Sequence, residues 1–326
     1  VLFFLIFLIF FYSIKLTLVY LDSNKKPTIY LDKSLGNISP PEIPQSTTSA
    51  GLKFTLDTIE GVPVTATETA KVFFLPQLNP RFGYSEKIYL MAKSFGFDTA
   101  VIKHKLIDKT ATFTDAEKTL TIDIANFNYK FDSKVNNELF SSSQLTIPSK
   151  SEIENKAIDF LKKIGRYPDE LGKGTTKIIY LKYNPGNQNF VNVEKRDMAQ
   201  LVEVDFQRQD IDTFKVVTPK FFTSQNYVVM LFQGTNYQII KSQIAFFEKS
   251  EEQVGTYRVK TGEEAWSELK SGLGFVVSGT SGQKNILIKD MKLRYFDPDI
   301  YQNYLQPVYV FLGEGNFVGY VSAVKN

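Results

Sequence analysis

The 326-residue chain contains no cysteine and a single histidine, His104. Without thiols there is no disulfide framework, no cysteine nucleophile, and no thiolate ligand for zinc or an iron–sulfur cluster. One imidazole excludes a multi-histidine metal site. His104 lies in a strand-like stretch between Lys103 and Lys105, and no G-x-S-x-G serine elbow occurs anywhere in the chain. A dominant charge of one sign is missing too: Lys+Arg 38 against Asp+Glu 35 leaves +3, which is no electrostatic footprint for nucleic acid. Aromatic residues, by contrast, are plentiful, with 28 Phe, 17 Tyr and 1 Trp making up 14%. Hydrophobic residues at 43% and charged residues at 22% are the balance of a folded protein, and the length suits about two domains.

Charge is locally absent at the N-terminus. Residues 1–14, VLFFLIFLIFFYSI, are uncharged, and Lys15 is the only charge before Asp22. Fourteen helical residues span about 21 Å and residues 1–21 about 31 Å, against a hydrocarbon core of roughly 30 Å. The expectation is a transmembrane anchor over 1–21, with Lys15 snorkelling toward one interface. Lys15, Lys25 and Lys26 on its C-terminal side favour a cytoplasmic body by the positive-inside rule. A cleaved signal peptide would need a small-x-small site, which Leu21-Asp22-Ser23-Asn24 does not provide. Residues 22–50 follow as a linker whose second half, GNISPPEIPQSTTSA, is rich in Pro, Ser and Thr.

Beyond the linker, a pattern of one short helix, a closing glycine and then strands appears three times. Ser85–Phe95 carries Ile88, Ala92 and Phe95 on one face and stops at Gly96. Ser151–Ile164 opens with a capping box, Ser151 to Glu154, and stops at Gly165. Thr261 to Glu264 is a second box, followed by Ala265, Trp266 and Leu269 and closed by Gly272. Between the helices, alternation of period two predicts strands over 119–131, 177–183, 200–206, 227–232, 237–247, 286–296 and 308–312. Turn residues join several of them, at Asp115–Lys118, Asn184–Gln188, Gly234–Asn236 and Gly313–Asn316. Hairpins imply antiparallel pairing. The fold class is α+β: an N-terminal transmembrane helix, then repeated units of one short helix packed on antiparallel sheet. Two α+β domains are expected, over 51–148 and 149–326.

Chemistry is thinly signalled. Gly172-Lys173-Gly174-Thr175-Thr176-Lys177 lacks the phosphate-loop spacing and runs from helix into strand, the reverse of a P-loop. Ser278–Gln283 reads as a flexible hairpin tip. Carboxylate pairs remain, because paired Asp and Glu can serve as acid and base without other residue types. Asp210 with Asp212 follows LVEVDFQRQDID, and in an extended chain residues at i and i+2 point the same way. Asp297 and Asp299 open DPDIYQNYLQP, where Tyr301 and Tyr304 follow on a turn set by Pro298. Asp297, Asp299, Tyr301 and Tyr304 are the candidate binding residues. No catalytic residue, metal ligand or cofactor site is assigned, and the calcium-loop spacing is absent.

Residues 256–326 carry Thr261-x-x-Glu264-Ala265-Trp266-x-x-Leu269-x-x-Gly272, then Leu293-x-Tyr295, Pro307-Val308-Tyr309-Val310-Phe311 and Tyr320-Val321. This stretch resembles the closing module of the YycH/YycI-type extracytoplasmic regulatory proteins and, more loosely, the PepSY fold. The wider chain is similar to envelope proteins built as anchor, linker and repeated helix-plus-sheet units. The resemblance implies a single-pass protein of the cytoplasmic membrane with an extracytoplasmic body, which binds or regulates an envelope or membrane protein without catalysis. It supplies no catalytic residue. Two alternatives stand beside it: a glycan- or peptidoglycan-binding module using tyrosines around 295–309, and a carboxylate hydrolase. The hydrolase requires two acids from different segments to converge in one cleft.

Overall fold

The period-two segments fold into two antiparallel-dominated sheets, because alternation gives each strand one face for a core and one for water. The structure is a computed structural model that describes residues 2–23, 30–46, 51–135, 137–140, 145–279 and 284–325. Helix α1 covers Leu2–Ser23. One sheet contains β1 (Lys53–Leu56), β2 (Thr69–Phe74), β10 (Val216–Val217), β13 (Val254–Arg258), β14 (Phe275–Ser278), β15 (Asn285–Phe296), β16 (Tyr304–Gly313) and β17 (Phe317–Ser322). Its order is β1-β15-β16-β17-β14, with β10 also on β15 and β2 joining β16 to β13. The other sheet contains β3 (Lys105–Ile107), β4 (Thr110–Thr114), β5 (Lys118–Asp123), β6 (Tyr129–Ser133), β7 (Thr175–Asn184), β8 (Asn189–Val193), β9 (Leu201–Gln207), β11 (Tyr227–Gln233) and β12 (Asn236–Ile244). It runs β3-β4-β5-β6-β12-β11-β9-β7-β8.

The four expected tight turns close the hairpins β4–β5, β7–β8, β11–β12 and β16–β17. The long alternating stretch 119–131 divides into β5 and β6, turned by Phe127 at φ 60°. Not all pairing is antiparallel: β1 and β10 both run parallel to β15, at opposite ends of it. A division at 148/149 is not the one the strands follow. β1 and β2 pair with strands from the C-terminal third, and β6 pairs with β12 across that point.

Three helices sit where expected: α2 (Tyr84–Ser94), α4 (Lys150–Lys163) and α6 (Gly262–Lys270). Two shorter ones are α3 (Asn137–Phe140) and α5 (Asp169–Gly172). Ile88, Met91 and Ala92 of α2 and Ile153, Ala157 and Leu161 of α4 pack with Val202, Val204 and Phe206 of β9 and Val228 and Met230 of β11. Each of these side chains larger than alanine contributes roughly 1.5–3 kcal/mol by leaving water. Ala265, Trp266 and Leu269 of α6 pack on the other sheet with Phe311 and Val321. The Thr261 capping box forms as expected, with Glu264 N donating to Thr261 Oγ1 and Thr261 N to Glu264 Oε2. On α4 the cap lies two residues earlier, where Ser149 Oγ accepts from Glu152 N at 3.3 Å.

Among the described residues no helix is long and apolar enough to cross a membrane. This corrects the anchor expected over 1–21, and with it the single-pass placement in the cytoplasmic membrane with an extracytoplasmic body. The physical reason is where the charge falls: the uncharged run of α1 ends at Lys15, so its charge-free part spans about 20 Å of a roughly 30 Å core and a full crossing would have to carry Lys15 within it. Its second half then brings Lys15 and Thr17, whose Oγ1 donates to the Ser13 carbonyl at 2.8 Å. Most apolar side chains of α1, Phe3 and Phe7 among them, are exposed.

The linker expectation is also revised. Residues 24–29 and 47–50 lie outside the described residues, but 30–46 form a strap laid along the C-terminal sheet rather than a free spacer. Ile38 and Ile43 are buried in it. Asp32 bridges to Thr256, and Ser46 N donates to the Val276 carbonyl on β14. Proline suits such a strap because it fixes an extended backbone and needs no strand partner.

Candidate functional site

Segment 297–303 connects β15 to β16 and meets both the strap and the other sheet, so the four candidate residues fall at a junction. They separate there into two groups. Asp297 is 1% exposed and belongs to the framework. Its Oδ1 accepts from Arg208 Nε at 3.0 Å and its Oδ2 from Gln225 Nε2 at 3.1 Å. Arg208, just past β9, also donates from Nη1 to Glu170 Oε2 at 2.8 Å and from Nη2 to the Phe247 carbonyl at 2.6 Å. Its guanidinium lies 3.8 Å from the Phe246 ring centroid. The Asp297 carboxyl is raised by burial, against the lowering pull of Arg208. Asp299 is half-buried and lines neither cavity described below.

Tyr301 and Tyr304 do come together at a cleft. Tyr301 donates to the Leu75 carbonyl at 2.9 Å, and Tyr304 to the Leu35 carbonyl at 3.4 Å. With both hydroxyls held by the framework, the rings are oriented and half-buried. Burial raises the Tyr301 phenol. On one side of Tyr301 is a small inter-sheet cavity lined by Pro76, Leu78, Lys109, Asp123, Asn126, Phe247 and Glu248. On the other is a groove of about 220 Å³, walled by Ser39, Pro40 and Glu42 of the strap and by Gln302, Asn303, Tyr304 and Gln306. Gln302 grips the strap in both directions, accepting from Glu42 N at 3.0 Å and donating to the Glu42 carbonyl at 2.7 Å. Gln306 donates from Nε2 to the Ser39 carbonyl at 2.9 Å. Its Oε1 is buried and accepts no hydrogen bond from the described residues. Interfaces between structural units are where ligand sites concentrate.

Two acids from different segments, Asp123 and Glu248, line the small cavity together. Both are engaged in holding structure. Asp123 Oδ1 accepts from Ala125 N at 2.8 Å, and Glu248 pairs with Arg166 Nη1 at 2.5 Å. Asp210 and Asp212 do not act as a pair: each takes its own lysine, Lys215 at 2.8 Å and Lys71 at 3.0 Å. Among the described residues no group of three or more His, Asp or Glu side chains could hold a metal ion.

Sequence reasoning missed another carboxyl pair, Glu203 with Asp205. They lie two residues apart on β9 and share the face turned away from α2 and α4. Asp205 is fully buried, and its Oδ2 accepts from Ser224 N at 2.9 Å. Burial, and then the neighbouring Asp205 carboxyl, pushes the Glu203 carboxyl up to about 8. Lys220 and Lys241 oppose the shift without cancelling it. Asp205 is likewise raised by burial, with the Ser224 amide and Lys177 pulling the other way. Tyr227 beside them is pushed up to about 12, by burial and then by Asp132, Glu203 and Asp205. The signal was available: LVEVDFQ alternates, so 201, 203 and 205 share a face. The pair lines neither cavity at Tyr301.

The remaining motifs are structural. His104 precedes β3, with Nδ1 3.3 Å from the Tyr89 hydroxyl and its ring edge-on to Tyr89. In the glycine-rich connection, Gly174 passes so close to β9 that a Cβ there would fall 1.8 Å from the Gln207 carbonyl oxygen. That glycine serves backbone approach, as its helix-to-strand direction suggests. In the hairpin tip 278–283, residues 280–283 lie outside the described residues.

No protein-family model and no curated protein matches the chain. Among solved structures it is similar to an uncharacterized protein from Eubacterium rectale ATCC 33656, at 13% identity and a TM-score of 0.34, covering 79% of this chain and 81% of that one.

Proposed function

We propose that this is a non-catalytic binding protein whose recognition surface is the cleft around Tyr301. The observation that carries the reading is the pairing of two oriented tyrosines with a groove walled by the strap, at a junction of the two sheets. Its acids support binding over turnover, since Asp123 and Glu248 are occupied by Ala125 N and Arg166. Screening the full chain against soluble glycans and peptides by NMR, beside Tyr301→Ala, tests this. Ligands recovered unchanged and lost in Tyr301→Ala support it; a ligand converted to product, or one held equally by the variant, contradicts it.

A second reading has a protein partner as the ligand. The resemblance of residues 256–326 to the YycH/YycI-type closing module supports it, as does the edge strand β3, whose Leu106 and Ile107 are exposed. An extended peptide adding to that edge would gain main-chain hydrogen bonds. Tyr301→Ala would leave such binding unchanged, while Ile107→Pro would abolish it.

A further inference from the structure

We infer that the outer edge of β8 pairs with β8 of a second copy of this chain, antiparallel about a two-fold axis at Val191. This stands apart from the reading of the Tyr301 cleft. The larger sheet ends on β3 and β8, and the hydrogen bonds of β7 fix what β8 offers outward. Gln200 N donates to the Leu181 carbonyl at 2.8 Å, and Tyr183 N donates to Gln200 Oε1 at 2.9 Å. Residues 181 and 183 therefore turn their main chain toward β9. Tyr180, Lys182 and Asn184 turn theirs toward β8, where they meet Val193, Val191 and Asn189. That leaves the N–H and C=O groups of Phe190 and Asn192 pointing away from the sheet, with no strand beyond β8 to bond them among the described residues. Asn189, Val191 and Asn192 are exposed, so this edge lies at the surface.

Natural sheets blunt their edges with charge, proline or a bulge. β8, reading Asn-Phe-Val-Asn-Val, carries neither charge nor proline and pairs with β7 without a register shift. Its self-pairing is also in register. Centred on Val191, Phe190 falls opposite the partner's Asn192 and Asn192 opposite the partner's Phe190. These are the residues whose main chain points outward, so each pair exchanges two hydrogen bonds. Val191, 40% exposed, meets its own copy as a non-hydrogen-bonded pair with Cα atoms about 4.5 Å apart, which covers both side chains. Past the strand, Glu194 faces Gln188 and Lys195 faces Asn187, so no like charges meet. The other edge fails the same test: two copies of β3 centred on Leu106 would set Lys103 against Lys109. A ribbon of five residues a side buries less than the roughly 1,200 Å² of a stable interface, so the dimer is weak and concentration-dependent.

Analytical ultracentrifugation of the full chain from about 1 μM to about 1 mM should show a reversible monomer–dimer equilibrium. Val191→Lys sets two like charges across the axis. Asn192→Pro removes an outward N–H that β8 does not use in its own sheet. Each should weaken dimerisation at least about tenfold, while Ile107→Pro on β3 should leave it unchanged. Because the chain has no cysteine, one introduced thiol reports the register. Val191→Cys should form an intermolecular disulfide on mild oxidation, its Cα separation lying within disulfide range. Asn192→Cys, which faces the partner's Phe190, should stay largely reduced. If Asn192→Pro fails to fold, Val191→Lys at its exposed position still decides. A monomer at every concentration, a dimer unaffected by Val191→Lys, or equal crosslinking of the two thiols overturns the inference. So does saturable binding of an unrelated extended peptide at β8 by a chain that stays monomeric.

Discussion

Asp205 and Arg208 lie three residues apart at the end of β9, both out of water, yet they sit in opposite electrostatic settings. Arg208 meets two acids and a carbonyl, so its charge is matched: Asp297 and Glu170 raise the guanidinium further, outweighing burial. Asp205 meets a second acid, so the pair cannot readily carry two charges, and Glu203 keeps its proton to about pH 8. Burial is common to both; the sign of the neighbour decides the outcome. The two settings also serve different regions. The Arg208 cluster ties β9 of one sheet to the end of β15 in the other, holding the segment that carries Tyr301. The Glu203–Asp205 pair holds the loop after β10, through Ser224 N, on a face that does not line the cleft.

Breaking the matched cluster has the largest expected effect. Arg208→Met leaves Asp297 and Glu170 buried without their cation and should destabilise the protein by about 3–5 kcal/mol in urea unfolding. Arg208→Met combined with Asp297→Leu should recover much of that, because the cost lies in the orphaned charge; equal losses in single and double variants would refute this account of the cluster.

The like-charge pair makes a prediction of opposite sign in pH. Folded Glu203 binds its proton up to about pH 8, whereas unfolded Glu releases it near pH 4.5. Between those values the folded state holds more protons, so stability falls as pH rises through that window and levels off above it. Asp205, raised in the same direction, adds to the slope. Glu203→Gln should flatten the fall and be the more stable protein at pH 9. Unfolding midpoints from pH 5 to 9 check this, and a parallel decline in the variant would count against it.

Asp205→Asn keeps the volume and weakens the acceptor for Ser224 N, a charge-assisted bond worth roughly 1.5–3 kcal/mol. Hydrogen exchange should speed up at Ser224 and its neighbours while the amides of β9 stay protected. The smallest effect is expected from Lys71 and Asp212, a pair about half exposed on both sides. Asp212→Asn should change stability by under about 1 kcal/mol. A change as large as that of Arg208→Met would erase the contrast between buried and exposed pairs.

Much of this was legible where the determinants are local. Thr261 and Glu264 announce α6, period-two alternation announces β7, β9, β11 and β15, and the turn residues at 184–188 and 313–316 close hairpins. Long-range pairing was not legible. Nothing near Lys53 signals that β1 will run parallel to residues 285–288, and a strap rich in Pro and Ser reads as spacer until Ile38 and Ile43 find a sheet to cover. At the candidate site, Tyr301 and Tyr304 were read from their turn, whereas the burial of Asp297 was not legible there because its partner Arg208 is 89 residues away. Glu203 and Asp205 were passed over because alternation shows a shared face but cannot show that a loop around Ser224 will take that face out of water.

The central claim is that recognition belongs to the Tyr301 cleft and not to the Glu203–Asp205 face. Side-chain amide and aromatic NMR signals of the full chain, followed during titration with the soluble glycans and peptides, test it directly. The account predicts saturable shifts of the Gln306, Asn303 and Tyr301 signals with those of Tyr227 unmoved. Shifts centred on Tyr227 and the loop at Ser224, with the Gln306 amide unchanged at saturation, would contradict it.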